Sequence, residues 1–334
     1  MRLLVVGCGS IGIRHLRNLQ SFPNVELLAH DVVAERVTQV TAELGVWTTT
    51  NLDYAIDQKP DAVVVCAPTH LHLSLAERAL DAGAHVFVEK PLSHSLDGVS
   101  EFIERARALG LVVLVGCNLR FHQPVQQIQA WLNAGAIGRL QFVRLRYGNY
   151  LPNWRPTDYR QSYSAQAEQG GGIVMDAIHE LDLAQEWLGK VESVYCLANH
   201  LSDLEINTED TAEILLRSPN RAVAEVHIDY LRPERARTYE LLGSVGMIRW
   251  MARGKNPECS IVSCYRMEDD RWETYKLELD LNEMYLKEMR HFLACLAGDE
   301  RPAMDAQRGQ EILALALTAK QSACVRREVP LVHT

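Results

Sequence analysis

Lys90 is the first candidate for chemistry, because Glu89-Lys90-Pro91 directly follows an apolar run that predicts a buried strand. A lysine at the carboxyl edge of a parallel sheet can stabilise a developing alkoxide or polarise a carbonyl. An ordinary surface lysine paired with Glu89 fits the same position equally well. The segment alone therefore leaves both interpretations open.

His179 is the second candidate and follows three glycines, at 170–172, on a predicted helix. Asp176, His179 and Asp182 recur at i, i+3 and i+6, which brings them close to one helical face. A histidine beside an orienting carboxylate is a candidate general base or acid, since imidazole titrates near neutral pH. A half-buried histidine bonded to a carbonyl is the alternative, and the pattern by itself favours that alternative.

The segment Gly7-Cys8-Gly9-Ser10-Ile11-Gly12 has the spacing G-x-G-x-x-G between a predicted strand and a predicted helix. In that context Gly7 permits a tight turn, Gly9 lets the backbone come close to a pyrophosphate, and Gly12 lets helix and strand pack closely. The N–H groups at the helix start, from Ser10 and Ile11 onward, favour an anion. The expected ligand is a dinucleotide.

Asp31 follows Gly12 by 19 residues, at the end of the second predicted strand. A carboxylate at this spacing accepts hydrogen bonds from the adenosine ribose and favours NAD over NADP. The alternative is that Asp31 caps the helix that begins at Ala34, and the nearby Arg36 keeps NADP open. The sequence therefore predicts NAD as cofactor, with NADP possible.

Further cofactor contacts are expected at the carboxyl edge of the same predicted sheet, where nucleotide sites form. His70 and His72 are equally consistent with ordinary residues of a first helical turn. The predicted cofactor contacts at this edge are Ala67, Pro68, Thr69, His72, Glu89 and Lys90.

The first 120 or so residues alternate apolar runs with amphipathic patterns, which predicts an α/β fold with a doubly wound parallel sheet. The predicted strands are 3–6, 25–30, 62–66, 85–88 and 111–115. The predicted helices are 11–19, 34–44, 71–82 and 96–108.

The pattern changes after residue 120 and predicts an α+β domain on a large, mostly antiparallel open sheet. Its predicted elements are helix 124–133, strand 140–147, helix 173–188, about seven strands between 191 and 279, and helices 283–297 and 306–324. Because helices on one side leave the other face of such a sheet open, we expect a second subunit to cover it.

Composition limits the class of protein. The 334 residues suit two domains, and 47% hydrophobic with 23% charged residues is typical of globular chains. A net charge of −9 disfavours nucleic acid as a partner, and no apolar stretch is long enough to predict a membrane span. The eight cysteines form no C-x-x-C pair, so reduced thiols in a cytoplasmic protein are expected. No H-E-x-x-H occurs, and no metal is expected.

Together these motifs resemble the Gfo/Idh/MocA family of oxidoreductases over nearly the whole chain. The markers are the glycine turn, residues 67–72, Glu89-Lys90-Pro91, Arg120-Phe121 and the G-G-G…D-x-x-H-E-L-D helix. The resemblance implies a Rossmann domain at residues 1–120 and a substrate-binding and oligomerisation domain at 121–334, in a homodimer or homotetramer. It also implies hydride transfer with NAD(H) or NADP(H), and sugars, cyclitols or their derivatives as substrates.

The resemblance makes Lys90 and His179 the catalytic pair. His179 would take the hydroxyl proton as hydride leaves for the nicotinamide, and Lys90 would steady the charge on oxygen. The family's catalytic aspartate usually lies four residues before this histidine, where the chain has Met175. The nearest carboxylate, Asp176, is turned by about 100° from that position on a continuous helix. Asp176 is the third catalytic candidate.

The segment at residues 150–163, before the triple glycine, resembles a branch of the family linked to sugar or nonulosonate metabolism. Aromatic rings can stack on a sugar, and arginines can bind a carboxylate or phosphate. A loop packed on its own domain or on a partner subunit is the alternative. The predicted substrate contacts are Lys90, Arg120, Trp154, Arg155, Tyr159, Arg160, Tyr163 and His179.

The sequence thus predicts an NAD(P)-dependent dehydrogenase or reductase that acts on a hydroxyl-bearing carbon of a sugar, cyclitol or anionic sugar derivative. A non-catalytic NAD(P)-binding sensor or accessory subunit is one alternative, and a reductase of a non-sugar carbonyl compound is another. The presence of both Lys90 and His179 argues against a sensor, which has no use for that pair.

Overall fold

The computed structural model describes residues 1–154 and 157–332, which divide into two compact units. The first unit contains Met1–Cys117 and Tyr285–Leu313. The second contains Asn118–Met284 and the chain from Ala314 onward. Each unit has its own β-sheet.

The first unit is built on a parallel sheet with intervening helices. Its strands are β1 (Arg2–Val6), β2 (Glu26–His30), β3 (Trp47–Thr49), β4 (Ala62–Val65), β5 (His85–Glu89) and β6 (Val113–Gly116). Its helices before residue 118 are α1 (Ser10–Leu19), α2 (Ala34–Leu44), α3 (Leu52–Ile56), α4 (His72–Asp81) and α5 (Val99–Ala108). The strand order is β3-β2-β1-β4-β5-β6. This order reverses between β1 and β4, and ligands of open α/β sheets bind beside such a reversal, at the carboxyl ends of the strands.

The predicted doubly wound sheet is confirmed, and the long apolar runs coincide with its strands. The sequence did not predict β3 and α3. The reason is that β3 has only three residues, two of them threonines, and therefore shows no extended apolar run.

The second unit is built on a nine-stranded sheet. The remaining elements of the chain are α6 (Gln123–Asn133), β7 (Leu140–Gly148), α7 (Ile173–Asp176), α8 (Ile178–Leu188), β8 (Ser193–Asn199), β9 (Thr211–Arg217), β10 (Val223–Asp229), β11 (Ala236–Gly243), β12 (Gly246–Arg253), β13 (Glu258–Arg266), β14 (Arg271–Leu279), α9 (Asn282–Ala297), α10 (Ala306–Val325) and β15 (Val329–Pro330). The strand order is β14-β13-β12-β11-β7-β10-β9-β8-β15. Only the β7–β10 pair among them is parallel, so the predicted mostly antiparallel sheet is confirmed.

The strands of this second sheet alternate buried and accessible residues. In β9, for example, Ala212, Ile214 and Leu216 are buried, whereas Glu213 and Leu215 are exposed. Helix α8 lies against β7 and β10. One face of the sheet therefore forms a core, and the opposite face is accessible within this chain.

The single helix predicted at 173–188 is wrong, because it is interrupted at Ala177. The backbone of Ala177 has φ −92° and ψ 29°, so α7 ends at Asp176 and α8 begins at Ile178. Every residue from 173 to 178 is buried, and a helix that is buried all round shows no apolar period from which a break could be read. Asp176 and His179 therefore do not share one continuous helical face.

Residues 285–313 pack with the first unit. The sequence predicts instead that the whole chain after residue 120 belongs to the second domain. Met289, Phe292 and Cys295 of α9 belong to the first unit's hydrophobic core. The ring of Phe292 lies 5.6 Å from that of Phe87 in β5. An apolar helical face carries no information about which core it joins, so the pattern could not reveal this return of the chain.

Within the two described ranges, no helix has both the length and the apolar character needed to cross a membrane. The same residues contain no group of three His, Cys, Asp or Glu side chains arranged to hold a metal ion. Six of the eight cysteines are buried, and Cys259 and Cys324 are exposed.

Candidate active site

The glycine turn joins β1 to α1 beside the end of β4. A Cβ on Gly7, which has φ +98°, would lie 2.6 Å from the carbonyl oxygen of Cys66. A Cβ on Gly12 would lie 1.8 Å from the carbonyl oxygen of Gly7. Both glycines are therefore required by the packing of the chain itself.

Gly9 differs from these two glycines, because a Cβ there would meet no heavy atom within 4 Å. Gly9 is also the N-cap residue of α1, and no side chain caps that helix. Ser10 is exposed at the helix start, while Ile11 packs against the hydrophobic core. Uncapped N–H groups beside open space, at a position kept free of a side chain, fit the pyrophosphate of a dinucleotide.

Asp31 follows β2 and reaches back to the glycine turn. Its carboxylate accepts hydrogen bonds from the backbone N–H of Cys8 at 2.7 Å and of Val33 at 2.9 Å. Arg36 pairs with it at 3.3 Å. The N-cap residue of α2 is Val33, so Asp31 does not cap that helix. The carboxylate is fixed beside the turn, as the ribose-binding prediction requires.

His72, predicted as a cofactor contact, lies at the expected edge of the sheet, but its ring is buried and the chain engages both ring nitrogens. Nδ1 lies 2.7 Å from the carbonyl oxygen of Pro91, and Nε2 lies 2.8 Å from that of Ala67. Burial lowers the pKa of His72, although the two backbone carbonyls oppose this effect. The ring has no nitrogen left for a cofactor, and instead it ties the loop after β4 to the turn after β5. Thr69 is buried in the same loop, with Pro68 exposed before it.

Glu89, predicted as a cofactor contact, is also held by its own chain. Its Oε1 lies 2.7 Å from Nε2 of the buried His15, and its Oε2 accepts the backbone N–H of Lys90 at 3.2 Å. Burial raises the pKa of Glu89, but the bond to His15 and the charges of His15 and Lys90 outweigh burial and lower it. Glu89 therefore shapes the turn, and Lys90 at its tip is half-buried.

The triple glycine starts α7 in close contact with neighbouring segments, as predicted. A Cβ on Gly171 would lie 2.1 Å from the carbonyl oxygen of Tyr163. A Cβ on Gly172, which has φ +107°, would lie 2.4 Å from the carboxylate of Glu209. The same carboxylate accepts the N–H of Val174 at 3.3 Å. Glu209 thereby caps the start of α7, a role that the sequence did not reveal.

His179 is the one accessible side chain among residues 170–184, all of which the structure describes. Asp176 is 4% exposed and accepts a hydrogen bond of 2.6 Å from the hydroxyl of Tyr230. Burial, together with the charge of Asp176, raises the pKa of Tyr230 well above its usual value, so the phenol stays a donor. The structure thus anchors Asp176 in the core, whereas His179 is partly accessible.

Two arginines predicted to bind substrate are paired with acids of their own unit. Arg120 binds both carboxylate oxygens of Asp182, at 2.8 and 2.5 Å, and also Glu186 at 2.9 Å. Arg160 binds Asp158 at 2.9 Å and Glu205 at 2.9 Å. These ion pairs already engage both guanidinium groups, and the contact of Arg120 and Arg160 with substrate stays a prediction. Arg155 lies outside the described residues.

The aromatic residues of the segment at residues 150–163 pack partly on one another. The indole N–H of Trp154 donates to the carbonyl of Asn149 at 2.9 Å, and its ring meets that of Tyr230 edge to face at 5.2 Å. The hydroxyl of Tyr159 accepts the N–H of Glu205 at 3.2 Å. Tyr163 is half-buried. A small pocket remains, lined by Leu151, Trp154, Thr157, Tyr159 and Ser162.

Replacing Gly9 or Gly12 with alanine separates binding from packing. Gly9→Ala meets no atom of the chain and keeps the unfolding midpoint, but its methyl group weakens NADH binding by about tenfold or more, or about 1.4 kcal/mol. Gly12→Ala is the matched control and loses about 3 kcal/mol of stability or more through backbone overlap. Thermal unfolding and NADH fluorescence titration measure the two effects. Unchanged NADH affinity in Gly9→Ala would contradict the assigned pyrophosphate position.

Comparison with known protein families agrees with the fold. Residues 1–117 match the oxidoreductase family with an NAD-binding Rossmann fold, GFO_IDH_MocA, and residues 125–249 match the GFO/IDH/MocA C-terminal domain. A myo-inositol 2-dehydrogenase of Thermotoga maritima is 30% identical over 99% of this chain and 98% of its own length.

Solved structures show the same architecture. A probable dehydrogenase from Thermotoga maritima superposes with a TM-score of 0.83 and 29% identity, over 99% of both chains. The WlbA dehydrogenase from Bordetella pertussis, in complex with NADH and UDP-GlcNAcA, superposes with a TM-score of 0.84 and 25% identity over 99% of both chains. The chain therefore belongs to the Gfo/Idh/MocA family of NAD-dependent oxidoreductases that act on CH–OH groups.

Proposed function

We propose that this enzyme oxidises one secondary hydroxyl of a neutral cyclitol or sugar, with Lys90 and His179 as its catalytic residues. The observation that carries the proposal is that His179 alone is partly accessible within an otherwise buried stretch of fifteen residues, 170–184. Burying every neighbour while leaving a polar imidazole accessible is expected of a group that meets a ligand.

Each catalytic side chain would perform one task. Bound NAD supplies the hydride acceptor. His179 would accept the proton of the substrate hydroxyl as general base. The ammonium of Lys90 would stabilise the negative charge that develops on the same oxygen. The contacts of Glu89 and His72 support this role, because they fix the turn that carries Lys90.

The binding mode proposed for NAD uses the glycine turn and Asp31. The start of α1 would hold the pyrophosphate near Gly9, and Asp31 would accept hydrogen bonds from the ribose hydroxyls. A 2′-phosphate would approach a buried carboxylate there, which disfavours NADP. Arg36 does not offset this preference, because it is already paired with Asp31.

A neutral substrate is proposed because two of the three arginines predicted to contact substrate are already paired with acids of the chain. Arg120 and Arg160 each bind two acidic side chains. The similarity to the myo-inositol 2-dehydrogenase of Thermotoga maritima supports a cyclitol. Asp176 is proposed as a positioning residue. Its hydrogen bond from Tyr230 fixes the end of α7, three residues before His179.

Loss of either catalytic side chain is expected to lower turnover, because each acts on the reacting oxygen. His179→Asn removes the base and should lower kcat by about 100- to 10,000-fold. Lys90→Ala should lower kcat by about 100- to 1,000-fold. Lys190→Ala, which changes an exposed lysine after α8, is the control and should keep wild-type activity. Steady-state NADH formation measures these effects, and full activity of His179→Asn would refute the assigned base.

A substrate panel tests the preference for neutral compounds. We expect the highest kcat/KM with myo-inositol, scyllo-inositol or glucose, and a value at least about tenfold lower with glucuronate. The physical reason is that the carboxylate of glucuronate finds no unpaired arginine among Arg120 and Arg160. NADH absorbance gives the rates, and a preference for glucuronate would show that the substrate is anionic.

We also propose that a second copy of the chain covers the open face of the nine-stranded sheet. Large apolar side chains are exposed there, with Leu197 48%, Leu215 45% and Met251 48% accessible. Met251 lies opposite Ile261, which is 36% exposed, in the β12–β13 register. Exposed apolar groups spread over such a face favour association.

Met251→Asp is expected to convert the assembly to monomers of 37.6 kDa, because it places a charge in the proposed contact. Leu109→Asp, at a 51% exposed position of the first unit, is the matched control and should leave the assembly intact. Light scattering coupled to size exclusion measures the mass. A wild-type chain that is monomeric at every concentration would rule out the interface.

A further inference from the structure

Glu288 is a buried acid that the proposed reaction does not use. It lies on α9 within the first unit and is 0% exposed. Neither of its carboxylate oxygens has a hydrogen-bond partner among the described residues. An ionised carboxylate in such a position is very costly, and the usual outcome is that the group keeps its proton.

Glu89 is the acidic neighbour of Glu288 where α9 packs against β5. Phe292, one helical turn after Glu288, contacts Phe87, which lies two residues before Glu89 and on the same face of the strand. Burial, and then the negative charge of Glu89, raise the pKa of Glu288 well above its ordinary value.

Glu89 itself is hydrogen-bonded to His15 and to the backbone N–H of Lys90. Burial raises the pKa of Glu89, but the bond to His15 and the nearby positive charges outweigh burial and lower it. When two carboxyl groups are close, their surroundings decide which one ionises. Here the contacts favour the charge on Glu89 and the proton on Glu288.

The other titratable groups around this pair do not reverse that distribution. Cys66, the residue after β4, interacts with both acids, and burial raises the pKa of its thiol well above its usual value. Cys8 follows β1, and burial raises the pKa of its thiol to about 12, so both sulfur atoms stay neutral. The positive charges of His15 and Lys90 act on Glu89. On α9, Tyr285 packs beside His15 with ring centroids 6.1 Å apart.

We propose that Glu288 is a positioning residue for the Lys90 turn, a buried acid that stays protonated so that Glu89 alone carries negative charge and holds that turn. The functional part of this proposal rests on the catalytic role proposed for Lys90. When Glu288 loses its proton in alkaline solution, a second negative charge acts on Glu89. The turn then shifts at the edge where the dinucleotide is proposed to bind.

The first test follows protonation without any cofactor. The infrared difference between wild type and Glu288→Gln at neutral pH should show the C=O band of a protonated carboxyl that only the wild type has. Because its folded pKa is raised, Glu288 stabilises the fold at acid pH and loses this contribution as pH rises through the raised value. Wild-type unfolding midpoints should therefore fall more steeply than those of Glu288→Gln between about pH 5 and about pH 9. A carboxylate band instead of the C=O band would overturn the proposal.

The second test measures NADH affinity against pH by fluorescence titration. Between about pH 7 and about pH 9.5, the Kd of wild type should rise about tenfold, whereas that of Glu288→Gln should change less than about twofold. Glu288→Met fills similar space without an ionisable group, and it gives the same comparison if the Gln variant does not fold.

Phe292→Leu is the structural control on the same helix. It removes part of the ring contact with Phe87, so it should lower the unfolding midpoint. It should keep the wild-type pH dependence of the Kd for NADH. A Glu288→Gln profile as steep as that of wild type, or a flattened profile in Phe292→Leu, would refute the positioning role. If no variant binds NADH at any pH, the proposed cofactor site fails, while the infrared band still decides the charge of Glu288.

Discussion

The close approach of three backbone segments at the end of the first sheet is the constraint on which the rest of the site depends. Gly7 passes against the carbonyl of Cys66, and Gly12 passes against the carbonyl of Gly7. No side chain fits at either contact, so α1 begins directly beside the carboxyl ends of β1 and β4. The N–H groups of its first turn therefore point to the place where the strand order reverses, which is where a dinucleotide binds in such folds.

Two polar side chains at this edge, His72 and Glu89, bind the backbone of neighbouring loops, and this arrangement fixes those loops. His72 joins the carbonyls of Ala67 and Pro91, and Glu89 joins His15 to the backbone of Lys90. Each bond satisfies a buried group that would otherwise be costly. The consequence is a turn held by hydrogen bonds on both of its sides, with Lys90 at its tip.

Buried charges give the second unit a comparable rigidity around His179. The next residue, Glu180, is fully buried and accepts bonds from Arg237 at 2.8 Å and from the hydroxyl of Tyr239 at 3.0 Å. These partners lie on β11 and fasten α8 to the sheet. Removing one partner of a buried pair costs about 3–5 kcal/mol, since the other charge is left uncompensated. His179 is therefore presented by a helix whose orientation is strongly determined.

A second buried pair shows why arginines are poor guides to ligands in a sequence. Glu258 binds His122 at 2.7 Å and Arg235 at 2.8 Å. Burial raises its pKa, but His122 and then Arg235 outweigh burial and lower it to about 2. The partners are separated by 136 and 23 residues along the chain. Spacing in a sequence does not reveal such pairs, and the same holds for Arg120, whose partner Asp182 is 62 residues away.

The sequence by itself determined most of the longer elements, the glycine turn and the places of Lys90 and His179 next to a strand end and on a helix, because local periodicity and backbone sterics act over a few residues. Only the tertiary structure decided that α9 returns to the first unit, that the helix breaks at Ala177, and that His72 and Glu89 serve the chain itself. These outcomes depend on contacts between distant segments, in which burial and charge pairing compete. A linear pattern records that a side chain is polar, but it does not record which partner has already bound it.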